Sequence, residues 1–367
     1  MPPFEADLHA WFGGRNDSIH LCRTFTQLDT QMTIVPSPPA VQVNEPWLNF
    51  LGNQGLRPDG SDFGDVGAEL RAARDGAVVA PLLNLGLIRA NGPDAADFLH
   101  NLVTNDIKGL TPGMVRLAGL CTPKGRLLAS LQIFRDGDGL LLILPRDVLP
   151  AILKRLSMYI LRSKVKLSDA SAECVLIAFS SPGTVSPPPT FAHALPMDTG
   201  RWLLALSPEA AIIAWPELIR VAKPVGLLAW QWLDIAAGQP RVVAATQEAF
   251  IPQMLNMELP AVAGVSFTKG CYPGQEIVAR TQYLGKVKRR MVRARLAMPA
   301  LPGTHVFAPE TGDQHCGAVV SAGPAPDGSI EALVCVQLGA VEAGEVHVGA
   351  PDGPTVEFLP LPYTLGA

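Results

Sequence analysis

Cysteine is sparse in this chain. Its six copies, at positions 22, 121, 174, 271, 316 and 335, are too dispersed for the short paired spacings of zinc or cluster-binding sites. They are also too few to staple 367 residues as a disulfide scaffold. Charge is sparse too: charged residues make up 17% of the sequence and the formal net charge is −4. That balance offers no global attraction to nucleic acid or acidic membranes, so any basic site must be local. No uninterrupted apolar stretch approaches the roughly 20 residues that cross a bilayer; the run from Leu203 to Trp215 is broken by Ser207, Pro208 and Glu209. The N-terminus, Met1-Pro2-Pro3-Phe4-Glu5-Ala6-Asp7, has neither the basic start nor the apolar core of a secretory signal. None of the seven histidines pairs with another at metal-ligand spacing. The expectation is a soluble cytoplasmic protein with no membrane partner and no resident metal.

What is present is a large apolar fraction, 48%, ordinary for a well-buried globular chain. Since single cores stop growing at roughly 250–300 residues, two or three packed units are expected. Residues 1–45 lack periodicity and read as an irregular extension. From 46 to about 285 strands and helices mix. Val78–Leu83 and Leu85–Arg89 read as strands, and a helix opens at Asp94 with Phe98, Leu99, Leu102 and Val103 on one face. A hairpin joins Leu127–Phe134 to Leu140–Leu144 through Asp-Gly turn residues. A helix follows over about 148–160, then strands at Val175–Phe179 and Trp202–Leu206, separated by a Pro/Ser/Thr-rich surface loop over 180–190. From 286 to 367 short alternating segments punctuated by Gly and Pro read as a small β-barrel. The fold class is therefore α+β with a C-terminal barrel.

The chemistry concentrates around Cys271, in Lys269-Gly270-Cys271-Tyr272-Pro273-Gly274-Gln275-Glu276. Pro273 and Glu276 suit the first turn of a helix, which would place the thiol just ahead of a helix N-terminus. There the helix dipole and the Lys269 ammonium both favour thiolate, the nucleophilic and metal-binding form. On physics alone a free cysteine is more often a small buried hydrophobe than a reactive group, and it is the sequence around this one that shifts the reading. Lys286, Lys288, Arg289, Arg290, Arg293 and Arg295 put six cations in ten residues with no acid among them. Such a run suits an acidic partner, a polyglutamate tail or RNA, or simply a solvated strand face; RNA is disfavoured because only Tyr283 is near for stacking. Trp230 and Trp232 stand at strand-like alternation before Asp234, as core or as an aromatic wall.

Two blocks carry a resemblance to a known family. One runs from Phe250-Ile251-Pro252-Gln253 through Gly264-Val265-Ser266-Phe267-Thr268-Lys269-Gly270-Cys271 to Ala279-Arg280. The other comprises Gly92-Pro93-Asp94-Ala95, Thr104-Asn105-Asp106 and Cys121-Thr122-Pro123-Lys124-Gly125-Arg126. Over roughly residues 78–290 the chain resembles the YgfZ family, relatives of the glycine-cleavage T-protein. The resemblance implies an aminomethyltransferase-like fold with intertwined α+β subdomains around a central channel, and binding of tetrahydrofolate or a folate derivative. It also implies a role in assembling or repairing iron–sulfur proteins, which would then be partners together with their assembly factors, and a requirement for the loop cysteine, here Cys271. Lys269 would assist Cys271 on the electrostatic argument above, while Asn105, Asp106, Lys124, Arg126, Trp232, Asp234, Gln275, Glu276 and Arg280 become candidates for lining the cofactor channel that the resemblance implies. Where relatives carry an acid for the pterin, this chain reads Asp234-Ile235-Ala236-Ala237-Gly238. Ala236 accepts no hydrogen bond through its side chain, so Asp234 would substitute if the segment is extended. A folate-dependent aminomethyltransferase is the alternative within the fold, but the acidic pair typical of T-proteins is missing at Pro123-Lys124-Gly125-Arg126-Leu127-Leu128. An RNA or protein docking module ranks third.

Overall fold

The computed structural model describes residues 44–183, 194–198 and 200–365. Most of the expected N-terminal extension and residues 184–190 of the expected surface loop lie outside these.

Three sheets carry the fold among the described residues. The first has the spatial order β10 (Lys223–Pro224), β1 (Val78–Pro81), β7 (Val175–Ser180), β9 (Arg201–Leu206), β8 (Leu195–Asp198). The second runs β3 (Val115–Cys121), β4 (Leu127–Asp136), β5 (Gly139–Pro145), β2 (Leu85–Asn91), β6 (Lys166–Asp169). Apart from the parallel β1–β10 contact, the ladders are antiparallel, and the expected hairpin closes with Asp136 opposite Gly139. Strands of these sheets are buried on both faces: Val78 and Ala80 enter one core while Val79 enters another. That is why they read as continuous apolar runs rather than as alternation.

Between the two sheets lies a helix over Leu227–Ala236, packed in one core with Val78, Leu87, Ile143 and Leu203. The outer face of the second sheet is covered by helices Ala95–His100 and Leu149–Met158. Helices Glu45–Asn53 and Pro208–Val221 cover that of the first, with Trp47 and Trp215 in edge contact at 5.6 Å. Among the described residues the helices are, in chain order, α1 (Glu45–Asn53), α2 (Val66–Asp75), α3 (Ala95–His100), α4 (Leu149–Met158), α5 (Pro208–Val221), α6 (Leu227–Ala236), α7 (Gln275–Tyr283) and α8 (Leu338–Ala343).

The third sheet, β15 (His347–Val348), β12 (His305–Phe307), β13 (His315–Pro324), β14 (Ile330–Gln337), β11 (Arg289–Leu296), β16 (Val356–Leu359), curls until its edges meet. His347 bridges Thr355, and Val356 N donates to Val346 O at 2.8 Å. The curled sheet encloses its own apolar filling, including Ala294, Val306, Val334 and Val336.

Three expectations need correction. The 230–234 stretch is helical, not extended: eight of the ten residues of α6 are buried, so it shows no polar face from which a helical period could be read. Asp94 does stand at the N-cap of α3, but its side chain makes no capping bond; Oδ2 instead accepts from Lys164 N at 2.7 Å. The helix also ends at His100 rather than continuing to Val103, which bridges to Leu120 of the adjoining sheet. No helix among the described residues is long and apolar enough to cross a membrane.

Candidate functional site

The Cys271 loop is assembled by contacts that span most of the chain. Thr104 accepts from Gly119 N at 2.7 Å through Oγ1 and donates from the same oxygen to Gly264 O at 2.6 Å. Asn105 Nδ2 donates to Leu117 O at 2.8 Å and to Ala263 O at 2.7 Å, while Oδ1 accepts from Asp106 N. Ser266 N completes the seam on Thr104 O at 3.0 Å. The segment that leads into the loop is thus stitched to the second sheet by buried groups whose hydrogen bonds are complete.

Lys269 fastens the next turn. Its ammonium donates to the His100 carbonyl and, at 2.6 Å, to the Val103 carbonyl, and it lies 4.9 Å from the Tyr272 ring centroid. Carbonyls at the end of α3 suit a cation, since they lack intrahelical partners. Burial pulls the Lys269 pKa from 10.5 down to about 8, against the opposing influence of Asp106 and Cys271. Asp106 is held by Gly109 N at 3.1 Å and lies 3.1 Å from His100 Nδ1, although that ring nitrogen makes no aligned hydrogen bond. Burial, followed by the Lys269 charge, lowers the His100 pKa.

Beyond the cysteine the chain turns through Gly274 at φ +84° and enters α7 at Gln275. Pro273 therefore precedes the helix rather than occupying its first turn. A Cβ on Gly274 would sit 2.4 Å from Thr122 O and 2.7 Å from Gly125 Cα. The turn carrying Lys124 and Arg126 and the start of α7 therefore lie backbone to backbone. Gln253 Nε2 caps this arrangement by donating to Val278 O at 2.7 Å. Held on both sides, Cys271 is itself exposed, whereas Cys121, Cys174, Cys316 and Cys335 are buried. Burial pushes the thiols of Cys121, Cys174 and Cys335 up to about 12, which leaves them protonated and inert.

The remaining candidates scatter. Arg126 donates to Ala249 O at 2.8 Å. Lys124, Glu276 and Arg280 are exposed and Gln275 is half-buried. Asp234, on α6, has Oδ1 bound by Arg201 at 2.7 Å and Oδ2 by Arg241 at 2.5 Å. Burial raises its pKa, but Arg241 and Arg201 outweigh that and hold the carboxyl below its ordinary value. Trp232 lines a cavity of about 460 Å³, whose wall also includes Asp198, Arg201, Gln239 and Tyr363. Its indole Nε1 is buried without a hydrogen-bond partner, as are those of Trp47 and Trp230, so the surface Trp232 gives the cavity is its ring. Cys271 is not part of that wall. The cation run is divided: Arg290 pairs with Glu258, Arg293 with Glu331 and Arg295 with Asp327 and Glu357, whereas Lys286, Lys288 and Arg289 form no ion pair among the described residues.

Arg201, Arg241, Gln239 and Tyr363 carried no signal in the sequence. They come from three segments, at 201, 239–241 and 363, and only the packing of α6 against the first sheet and the C-terminal tail brings them together. Tyr363 Oη donates to Gly238 O at 2.8 Å, drawing that tail over the cavity rim.

Comparison with known proteins follows the same lines. The family model described as the GCVT N-terminal domain matches residues 49–184. The tRNA-modifying protein YgfZ of Pectobacterium carotovorum subsp. carotovorum (strain PC1) is 32% identical over 307 residues, covering 75% of this chain and 88% of that relative. Its counterpart in Serratia proteamaculans (strain 568) is 29% identical over 307 residues, covering 76% of this chain and 90% of that relative. Among solved structures, the glycine cleavage system aminomethyltransferase T from Bartonella henselae aligns with a TM-score of 0.68 at 18% identity over 87% of this chain and 97% of that chain, a likeness of fold.

Proposed function

The chain belongs to the YgfZ family, and from that premise we propose that it is a folate-binding accessory protein for the maintenance of iron–sulfur enzymes, including those that modify tRNA. The observation that carries this reading is a thiol that is exposed yet rigidly placed: Cys271 stands between the Lys269 clamp and the Gly274 turn, while four other cysteines are buried. An exposed cysteine on a fixed loop suits contact with a partner's thiol, a sulfur species or a cluster, because attack and ligation both need access and a thiolate.

Tetrahydrofolate is assigned to the 460 Å³ cavity. Its residues fit a pterin: Trp232 offers an aromatic wall, and Asp198, Arg201 and Gln239 supply polar groups. A bound reduced folate would supply one-carbon carrier chemistry. The protein's own residues orient the ring, with Arg201 anchored by Asp198 and Asp234 so that its guanidinium keeps a fixed position.

Two measurements test the reading. In a strain lacking the protein, Cys271→Ser is expected to fold and accumulate normally yet to fail in restoring iron–sulfur enzyme activity; full restoration overturns the role of the thiol. Tetrahydrofolate titrated calorimetrically into the purified protein is expected to bind several-fold more weakly to Trp232→Phe, which shrinks the aromatic wall. Unchanged affinity in that variant removes the cavity assignment.

A further inference from the structure

A second cavity, of about 250 Å³, lies where the segment 245–254 meets the curled sheet. Its polar side chains are Arg289 at the start of β11, His305 on β12, His315 on β13 and the buried thiol of Cys335 on β14. The rest of the wall, including Phe250, Met254 and Ala318, is largely apolar, and no acid belongs to it.

The two imidazoles stack with centroids 4.1 Å apart and planes 12° from parallel. A metal bound to imidazole lies in the ring plane about 2.0–2.1 Å from nitrogen. Two nearly parallel planes this far apart share no such point, so the pair does not form a metal site. What the pair provides instead is stacked imidazole edges beside a guanidinium that makes no ion pair among the described residues; burial, followed by the His305 and Arg289 charges, lowers the His315 pKa against a backbone hydrogen bond with Gly317, so Arg289 is the principal cation of the site. Arg289 is positioned by donating to His315 O at 3.4 Å, and its charge reaches His315, Cys316 and Cys335. Arg126 adds positive potential to the same region, since it too acts on Cys335.

We propose that this cavity is a second ligand site, distinct from the one assigned to folate, that takes a small amphipathic anion: a compact apolar body against Phe250 and Met254, with a carboxylate or phosphate facing Arg289, His305 and His315. Its volume is near the lower end of the range for small-molecule sites, about 300 Å³, which suits a single-ring acid. The Arg289 guanidinium in a partly desolvated wall favours an anion over a neutral isostere, because charge-assisted hydrogen bonds are roughly twice as strong as neutral ones.

The test uses the full chain and four probes followed by NMR: benzoate, phenyl phosphate, inorganic phosphate and neutral benzamide. One of the two aromatic anions is expected to bind at least tenfold more tightly than benzamide, and the better of them identifies the head group as carboxylate or phosphate. Inorganic phosphate is expected to bind more weakly than phenyl phosphate, since it leaves the apolar wall uncovered. Arg289→Gln and His315→Gln, both at side chains that are not buried, are expected to weaken that binding about tenfold, whereas Trp232→Phe leaves it unchanged. Binding that survives both substitutions, that fails to distinguish benzamide from the anions, or that is lost in Trp232→Phe overturns the proposal. None of these outcomes depends on Cys271 or on tetrahydrofolate.

Discussion

Lys269 Nζ donates to the Val103 carbonyl at 2.6 Å and so ties the cysteine loop to a turn 166 residues earlier in the chain. The clamp makes a pH prediction whose sign is fixed. Burial lowers the folded-state pKa of Lys269 from 10.5 to about 8, so between those values the unfolded chain holds the proton and the folded chain does not. Stability contributed at this position therefore rises with pH through that window; it is fully present above about 10.5 and lost as pH falls through about 8. Urea midpoints of Lys269 and Lys269→Met proteins, both carrying Cys271→Ser to remove the thiol's own titration, should diverge in favour of lysine as pH rises from 8 to 10.5. A constant difference would show that the ammonium is not buried as described.

Gly270 and Gly274 flank the same cysteine but should respond oppositely to alanine. A Cβ on Gly270 meets nothing within 4 Å, whereas one on Gly274 meets Thr122 O at 2.4 Å in a backbone already at φ +84°. Gly270→Ala is expected to change stability by less than about 0.5 kcal/mol. Gly274→Ala should cost about 2 kcal/mol or more, from the left-handed backbone and from the separation it forces between α7 and the turn at Gly125. Equilibrium denaturation of the two variants checks this directly. If Gly270→Ala folds normally yet lowers activity in cells, the open space beside Cys271 is where a partner approaches.

The sequence shows some parts of this architecture and conceals others for physical reasons. The β4–β5 hairpin is visible because turn chemistry at Asp136 and Gly139 is local. The Cys271 loop is visible because its glycines, lysine and cysteine are contiguous, although the helix begins two residues later than Pro273 suggests. Helix α6 is hidden, since burial on nearly every side erases the polar stripe, and Trp230 and Trp232 then imitate strand alternation. Asp234 is the instructive case. Its acidity is apparent in the sequence, but its partners Arg201 and Arg241 lie 33 residues before it and 7 after it, and only the fold reveals that both its oxygens are engaged.

That engagement predicts how Asp234 behaves. Its carboxyl is held below the ordinary value because Arg241 and Arg201 overcome the opposing effect of burial. The stabilisation is therefore present above the unfolded carboxyl value, roughly 3.9, and is lost as pH falls through the lower folded value. Asp234→Ala leaves two arginines short of a partner in a buried setting and should cost on the order of 3–5 kcal/mol. Thermal denaturation at pH 7 checks the magnitude, and the difference from wild type should shrink as pH approaches 2. A shift of less than about 1 kcal/mol at pH 7, the usual size for an exposed pair, would mean that the network is solvated.

Asn105 offers the sharpest test of whether the cysteine loop depends on the distant seam. Its amide nitrogen serves Leu117 O and Ala263 O and its oxygen serves Asp106 N, all within a side chain that is buried. Asn105→Ala strands two carbonyls and one N–H, which at about 1–3 kcal/mol for a buried unsatisfied group should lower stability by roughly 2–3 kcal/mol. The loss should be local first, because the seam closes a loop rather than the centre of a core. Amide hydrogen exchange is expected to accelerate across residues 263–271 while β5, at the centre of the second sheet, keeps its protection once the overall stability change is subtracted. Cys271 should then react faster with a bulky thiol reagent, since a loosened loop gives more room for approach. Uniform acceleration across the whole protein would instead place Asn105 in the global core and detach the loop's geometry from the seam.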